Sequence, residues 1–179
     1  MEFLKKVSQK IDAFTEIVGL VVAWLTTALV LNVFYDVIMR YVFHHGNIAI
    51  QELEWHIFSV IFLIGAAYTL KHDGHVRVDI LYTKFSRKQK AWVDLICTFV
   101  FLIPFCIIVI YASISFVQFS WSVREVSPDP GGLPGRYILK SMIPLGFVLL
   151  IIQGLSEAIK NFFVIVDYNQ PETSQEEVE

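Results

Sequence analysis

The chain contains 179 residues, of which 55% are hydrophobic and only 17% are charged, with a net charge of −3. Soluble domains usually carry about 25% charged residues, so the low charge, gathered outside four apolar blocks, argues against an ordinary water-soluble core. A nucleic-acid-binding protein is also disfavoured, because no basic stripe extends over more than a few residues. The composition therefore indicates an all-α integral membrane protein with four transmembrane helices and short amphipathic interfacial helices.

The first stretch, residues 1–14, places apolar side chains at helical spacing, with three lysines mostly on the other side. This pattern predicts a short amphipathic helix that lies on the membrane surface. The block 17–35 then runs for 19 residues without a charge, which is longer than a signal-peptide core, and it lacks a small-residue cleavage site. We therefore predict that it is retained as the first transmembrane helix, at about residues 15–38.

Polar residues mark the end of the first helix. Asn32, Asp36 and Arg40 are spaced four apart and therefore share one helix face. Asp36 and Arg40 can form an ion pair where the helix leaves the bilayer. A connector that contains turn residues follows from position 41 to 50.

The stretch 51–79 is the segment around which we expect the other helices to arrange themselves. It opens with Glu52 and Glu54, continues as an apolar run to Leu70, and ends in a cluster of charged residues and histidines. The middle is too apolar for a surface helix, and both ends are too charged to lie in hydrocarbon. We predict the second transmembrane helix at 51–71.

The third helix follows a basic connector, 76–90, in which Ser86 is placed to cap the start of the helix. The charge-free block 95–123 is 29 residues long, which is more than a bilayer requires. The third helix, predicted at 91–122, must therefore tilt, bend at Pro104 or continue along the far interface.

A loop rich in proline and glycine, 127–135, cannot continue a helix. The fourth transmembrane helix is predicted at 137–163. Together the four helices form a membrane domain at 1–166. An acidic tail, 167–179, follows, and we expect it to be disordered and solvated.

The positive charges predict the orientation of the helices. Ten Lys and Arg residues fall before the first helix, between the second and third, or at the end of the fourth, against four in the other two connectors. Positive charges concentrate on the cytoplasmic side of membrane proteins. We therefore predict that both termini and the second connector are cytoplasmic, and that the first and third connectors face outward.

The histidines raise the question of a haem or metal site. A membrane haem needs two imidazoles at similar depth on facing helices, but His56 lies near the outer surface and His72 and His75 near the inner one in this topology. No zinc-ligand spacing recurs. The two cysteines, Cys97 and Cys106, are separated along a helix by about 13 Å of rise, which prevents a disulfide. The sequence therefore predicts no cofactor and no metal.

One polar face remains, on the second helix. Glu52, His56 and Ser59 recur at helical spacing, and such a face either lines a pathway or contacts another subunit or lipid headgroups. Gly65 and the two alanines that follow it allow another helix to approach closely. The sequence shows no nucleophile with a base, phosphate-binding glycine loop or pair of catalytic carboxylates, so we predict an accessory membrane subunit and no enzyme.

These residues resemble the small membrane subunit of tripartite ATP-independent periplasmic (TRAP) transporters, the DctQ-like family. In that family an acidic residue opens the second helix, an aromatic and aliphatic run leads to a glycine and small residues, and a histidine and an aspartate close the segment. The run from Glu52 to Gly65 and the sequence from His75 to Asp79 match this pattern, as does Arg40 after the first helix. Prolines in the outer loop and early in the fourth helix are also similar: Pro128, Pro134 and Pro144.

The resemblance implies a function in the bacterial inner membrane. Small subunits of this family associate with a large membrane subunit, which moves substrate by an elevator motion driven by a sodium gradient. A soluble periplasmic protein captures the substrate, typically an organic acid, and the small subunit enlarges the static scaffold and helps to dock that protein. The resemblance thus implies that Arg40, Glu52, Gly65, His75 and Asp79 serve structure and subunit assembly. One departure is the second acid, Glu54, which makes the outer end of the helix more polar.

Two other functions remain open. A haem- or quinone-associated membrane anchor of a redox complex is disfavoured by the different depths of the histidines. A self-sufficient four-helix carrier or channel is disfavoured because the chain has no obvious inverted repeat or pair of broken helices. The partners that we expect are the large membrane subunit, the periplasmic binding protein and membrane lipids.

Overall fold

The computed structural model describes residues 1–74, 82 and 85–167, and within these residues every regular element is a helix. Four helical segments of this part are long and apolar enough to cross a membrane, as the sequence predicts. The third of them consists of two α-helices joined by a π-helical turn. The elements are α1 (Glu2–Tyr41), α2 (Ile48–Lys71), α3 (Arg87–Cys97), a π turn (Thr98–Leu102), α4 (Ile103–Ser122) and α5 (Arg136–Asp167).

α1 is a single helix of 40 residues, about 60 Å long, that begins at the second residue. The prediction of a separate surface helix at residues 1–14 is wrong, because these residues form the first part of α1. Residues 1–18 contain no proline or glycine that would end a helix. In addition, Ser8 and Thr15 are each only 4% exposed, because this part of α1 packs against α5.

Side-chain caps fix the starts of α2 and α3. Asn47 precedes α2, and its side-chain oxygen accepts a hydrogen bond from the Ala49 amide at 2.9 Å. Ser86 caps α3, which confirms the prediction: its hydroxyl accepts from the Gln89 amide, and the Gln89 side chain accepts from the Ser86 amide. Both helices therefore begin where a polar side chain satisfies the free amide groups of the first turn.

The π turn lies directly before Pro104, within the third span. Proline has no amide hydrogen to donate, and its ring would clash with the carbonyl group four residues earlier, here that of Val100. A local change to π-helical hydrogen bonding is one way in which a helix accommodates such a break. Of the three predicted ways to place the long third block, the structure thus shows an irregular turn at Pro104, in a helix that continues to Ser122.

α5 is the helix around which the bundle is built, since it contacts α1, α2, α3, α4 and the π turn. The prediction that the second helix holds this position is wrong, because α2 packs mainly on α1 and α5. Two glycines of α5 give the reason. A Cβ atom on Gly146 would lie 2.6 Å from the carbonyl oxygen of Leu63, and one on Gly154 would lie 2.8 Å from Leu102. Small residues let helix backbones approach closely, which favours association of helices in lipid.

Close approach also joins α1 to α2. A Cβ atom on Gly19 would lie 2.1 Å from the ring of Tyr68, so the ring occupies the space beside this glycine. Gly65, on α2, faces α1 in turn, and a Cβ atom on it would lie 3.3 Å from the Val22 side chain. The helix that approaches Gly65 is therefore α1 of the same chain.

Some predictions fall on residues outside the described part of the chain. His75 and Asp79 are two of them. The first half of the connector 76–90 and the acidic tail beyond Asp167 are others.

Candidate functional site

The bundle has two ends, which we name the Glu52 end and the Lys71 end after residues near the two ends of α2. Polar side chains concentrate at both ends. They connect helices and a loop that are far apart in the sequence, and they include two of the residues that the sequence analysis singled out.

Glu52 anchors the loop that joins α4 to α5. It lies in the second turn of α2, and the residue is only 4% exposed. The carboxylate accepts hydrogen bonds from the Ser127 hydroxyl, the Leu133 amide at 2.6 Å and the Arg136 guanidinium at 3.0 Å. Arg136 supplies the opposite charge that a buried carboxylate requires. One side chain of α2 thus fixes both the loop and the start of α5, and we call this set of contacts the Glu52 anchor.

The loop passes so close to the Glu52 anchor that position 132 has room only for glycine. A Cβ atom on Gly132 would lie 2.4 Å from the Ser127 hydroxyl oxygen and 2.7 Å from a carboxylate oxygen of Glu52. Gly131 and Gly135 on either side have φ angles of 82° and 80°, in the left-handed region that favours glycine. The glycines of this loop therefore shape it around the carboxylate.

A second ion pair closes the same end of the bundle. Lys140 in α5 donates a hydrogen bond to the carboxylate of Glu125, near the start of the loop, and lies 4.0 Å from the centre of the Phe116 ring. The hydrogen bond from Lys140 lowers the pKa of Glu125. The ion pair therefore stabilises the fold at neutral pH, and this contribution is lost only as the pH falls through the lowered pKa.

Arg40 forms the predicted ion pair with Asp36 at the Glu52 end of α1. Asp36 is only 3% exposed, whereas 44% of the Arg40 side chain is exposed. Arg40 therefore balances a buried charge from the rim of the bundle. Asn32, on the same face, donates to the Ile50 carbonyl oxygen at 3.2 Å and so connects α1 to α2.

At the Lys71 end, a series of side-chain hydrogen bonds joins α1 to α5, and we call it the polar ladder. The hydroxyl oxygens of Ser8 and Ser156 are 2.7 Å apart, and Thr15 donates to the Gln153 side chain at 2.7 Å. Gln153 and Ser156 are completely buried. Buried polar groups of this kind require partners, so the ladder fixes how the two helices face each other.

Asp12 lies at the centre of the polar ladder. Its carboxylate accepts from Gln153 at 3.0 Å, from Ser156 at 2.8 Å and from Lys160 at 3.2 Å. Lys160 also pairs with Glu157, three residues earlier on α5. A single carboxylate of α1 therefore binds three side chains of α5.

The end of α2 is attached to the same part of α1. Lys71 donates to the Asp12 carbonyl oxygen at 2.8 Å and to the Glu16 carboxylate at 2.5 Å. The Nε2 atom of His72 lies 2.9 Å from the same carboxylate. Three helices thus meet at the Lys71 end through charged and polar groups.

Sequence reasoning missed the polar ladder, which involves the polar side chains at the end of the fourth helix. It named no partner for those residues on the first helix. Ser8, Asp12 and Thr15 follow one another at spacings of four and three residues, which places them on one face of a helix. That stripe is the signal that could have revealed the contact.

The polar face of α2 is used within the chain. Glu52 binds the loop, the Nδ1 atom of His56 lies 2.6 Å from the Glu52 carbonyl oxygen, and Ser59 donates to the Trp55 carbonyl oxygen at 2.7 Å. No group of three His, Cys, Asp or Glu residues in the described ranges could hold a metal ion. His56 and His72 are about 24 Å apart along the axis of α2, which separates them as the sequence indicates.

Four spans whose buried polar side chains bind other parts of the same chain define a multi-pass helical membrane protein. The chain belongs to the family described as tripartite ATP-independent periplasmic transporters, DctQ component, because its residues 29–163 match the model of that family. It is also similar to a protein of Haemophilus influenzae that has the provisional name TRAP transporter small permease protein. The two are 27% identical over 111 residues, which cover 62% of this chain and 67% of the relative.

The family match confirms the resemblance carried by the second helix and its flanks. The protein is a small subunit of a TRAP transporter, a multi-pass protein of the inner membrane, and its family is a transporter component and not an enzyme family. The matched residues include the whole Glu52 anchor and the α5 side of the polar ladder. The α1 side of the ladder, with Ser8, Asp12 and Thr15, precedes the matched residues.

Replacement of Glu52 by Gln should loosen the loop between α4 and α5. The amide has nearly the size of the carboxylate, but it removes the charge that pairs with Arg136 and weakens the acceptor for the Leu133 amide. We expect about tenfold faster hydrogen–deuterium exchange at the Leu133 amide in the purified protein. Glu54→Gln is the matched control, since no hydrogen bond joins Glu54 to the described loop. Equal exchange at Leu133 in Glu52→Gln and the wild type would contradict the anchor.

A cysteine pair should cross-link the polar ladder. With Cys97 and Cys106 replaced by alanine, Ser8→Cys and Ser156→Cys should form a disulfide under mild oxidation, because the native hydroxyl oxygens are 2.7 Å apart. The disulfide is measured by the mass of the intact chain and by peptide mapping. Leu155→Cys in place of Ser156→Cys is the control, since Leu155 is 39% exposed. If both pairs cross-link equally, α1 and α5 do not meet in this register.

Proposed function

We propose that the chain is the small scaffold subunit of a sodium-gradient-driven tripartite uptake transporter for organic acids. In this proposal it supports a large elevator-type membrane subunit and helps to dock a periplasmic substrate-binding protein. The observation that carries the proposal is the family match, which extends over residues 29–163. The geometry is consistent with a scaffold, because the Glu52 anchor and the polar ladder connect the spans of the described chain to one another.

A scaffold role requires that the spans keep their relative positions while another subunit moves. The polar contacts provide this property at both ends of the bundle. Removal of one partner of a buried ion pair leaves an uncompensated charge in a medium of low dielectric constant, which is strongly unfavourable. Sliding of α2 or α1 along α5 would break the Glu52 anchor or the polar ladder, so both movements are opposed.

The face of α4 that contains Tyr111 is the surface that we propose for the large subunit. Tyr111 is 82% exposed although it lies about 18 Å from the nearer end of the charge-free block 95–123. A tyrosine hydroxyl removed from water normally has a hydrogen-bond partner, and lipid tails offer none. A neighbouring protein helix can supply an acceptor, and exposed aromatic side chains are common anchors in protein interfaces.

The loop between α4 and α5 is the surface that we propose for the binding protein. Its tip is exposed at Pro128, Asp129 and Pro130. The rest of the loop is bound to Glu52, whose carboxylate accepts a hydrogen bond from the Leu133 amide. A loop with a fixed base can present a defined surface, which reduces the entropy lost on docking. The proposal requires the Glu52 end to face the periplasm, as the distribution of positive charges predicts.

Reconstitution tests the proposed function. The chain should co-purify with a large multi-spanning membrane protein when the two are expressed together. Proteoliposomes should accumulate an organic acid only when both membrane subunits, the binding protein and an inward sodium gradient are present. Uptake by this chain alone, or uptake that is indifferent to the sodium gradient, would show that the proposal is wrong.

Cysteine labelling tests the orientation of the chain. In a variant without native cysteines, Asp129→Cys should react in intact spheroplasts with a maleimide that cannot cross membranes. Lys10→Cys should react only after the membrane is permeabilised, because it lies at the opposite end of the bundle. The reverse pattern would place the termini in the periplasm and would remove the proposed docking surface.

Substitution of Tyr111 tests the proposed contact with the large subunit. Tyr111→Ala should reduce the amount of large subunit that co-purifies by about tenfold, the size expected for an interface hot spot. Tyr111→Phe should have a smaller effect, since the ring remains and only the hydroxyl is lost. Tyr41→Ala, at the end of α1 and 71% exposed, is the control. Unchanged co-purification of Tyr111→Ala would exclude this face from the interface.

A further inference from the structure

A large groove lies at the Lys71 end, away from the Glu52 anchor, where α2, the third span and α5 diverge. Its volume is about 770 Å³, within the range of roughly 300–1,000 Å³ that is typical of small-ligand sites. The groove continues from the polar end of α3 down to the start of α4. Its principal lining residues are Arg87, Lys90, Asp94, Phe101, Leu102 and Phe105.

The deep half of the groove is apolar and open to the side. Phe101 and Phe105 are 67% and 58% exposed, so their rings face the space that hydrocarbon occupies in a membrane. Leu102 and Leu150 form the floor between the third span and α5. From Asp94 to Phe105 the helix rises by about 17 Å, close to the thickness of the hydrocarbon of one leaflet, about 15 Å. The apolar half therefore has the length and chemistry of an acyl-chain site.

The mouth of the groove presents cations. Arg87 and Lys90 lie one helical turn apart at the start of α3, and neither forms an ion pair within the described residues. Lys90 instead lies 5.1 Å from the centre of the Tyr82 ring. Two adjacent cations with no carboxylate partner in the part of the chain that the structure describes, at the level where a helix leaves the hydrocarbon, can contact the phosphate of a lipid headgroup.

Two acids that line the mouth are already engaged by the chain. Asp94 accepts a hydrogen bond from the Tyr82 hydroxyl at 2.6 Å. Glu157 binds Lys160 and accepts from Gln153 at 2.9 Å. A third acid, Asp73, lies at the rim at the end of α2. Carboxylates and cations therefore both line this mouth, and Arg87 and Lys90, on the α3 side, are the groups that a phosphate would contact.

We propose that this groove binds one glycerophospholipid from the leaflet at the Lys71 end. The phosphate contacts Arg87 and Lys90, and one acyl chain lies along Phe101, Leu102 and Phe105. A soluble phosphate would use only the mouth, whereas the lipid fills both halves. The bound lipid joins α3 to α5 where the spans diverge, so it is a structural component of the subunit. This proposal depends on the membrane location of the chain and not on its transport role.

Photolabelling of the wild-type protein tests the site without any substitution. The transporter complex, or the full chain if it is purified alone, is reconstituted with phosphatidylglycerol that has a photoreactive group in one acyl chain. We expect the label to concentrate on peptides that contain residues 98–105, and an excess of inorganic phosphate to leave it unchanged. Even labelling of all four spans would overturn the proposal, as would displacement by inorganic phosphate. Loss of labelling in the complex but not in the isolated chain would show that a partner protein fills the groove.

Native mass spectrometry tests the residues. The wild type should retain one phospholipid at collision energies that remove all others, and Arg87→Gln with Lys90→Gln should reduce the retained fraction about tenfold. Cys97→Trp, which fills the exposed wall of the apolar half without a change of charge, should have the same effect. Lys5→Gln with Lys10→Gln removes the same charge elsewhere at the Lys71 end and should retain the lipid.

The variants are compared only where they elute as the wild type does in size-exclusion chromatography. If one of them does not fold, the photolabelling result on the wild type decides the proposal. The proposal would be contradicted if the folded Arg87→Gln/Lys90→Gln protein retained the phospholipid at the wild-type level.

Discussion

Helices in a bilayer associate without the hydrophobic driving force that operates in water, because lipid tails are as apolar as the side chains that face them. This bundle is therefore held by close approach of backbones and by polar contacts shielded from water. α5 provides much of both. Gly146 and Gly154 leave room for α2 and the π turn, and Gln153 and Ser156 are buried in the polar ladder. The other spans all contact this helix and take their positions from it.

Two carboxylates set the relative heights of the helices. Glu52 binds the loop and α5 at one end of the bundle, and Asp12 binds α5 at the other, so each needs a definite register to satisfy its oxygens. Polar contacts of this kind specify one arrangement among several that apolar packing alone would permit. Arg136 and Lys160 supply the countercharges, and both lie on α5 near the headgroup levels, where charged side chains are least unfavourable.

In this arrangement the polar side chains that hold the fold together lie inside the bundle, apart from the surfaces that other molecules can reach. The buried polar groups of the Glu52 anchor and the polar ladder join helices of the described chain, and its outer surfaces are largely apolar. The chain belongs to a family of transporter components, and the scaffold role is our proposal for it. The exposed side chain of Tyr111 and the groove at the Lys71 end are two places on this outer surface where the chemistry is more specific than that of bulk lipid.

The number of spans, the Ser86 cap, the Asp36–Arg40 pair and the family could be predicted from the sequence, because each depends on hydropathy, on residues within one turn, or on a local motif. Tertiary structure alone decided which helix is central and which groups meet. The partners of Glu52 lie 75 to 84 residues away, and Ser8 and Ser156 are separated by 148 residues. Spans that are apolar on all sides do not reveal which face is inside. The surface helix predicted for residues 1–14 failed for the same reason, since an apolar stripe fits lipid or a neighbouring helix equally well.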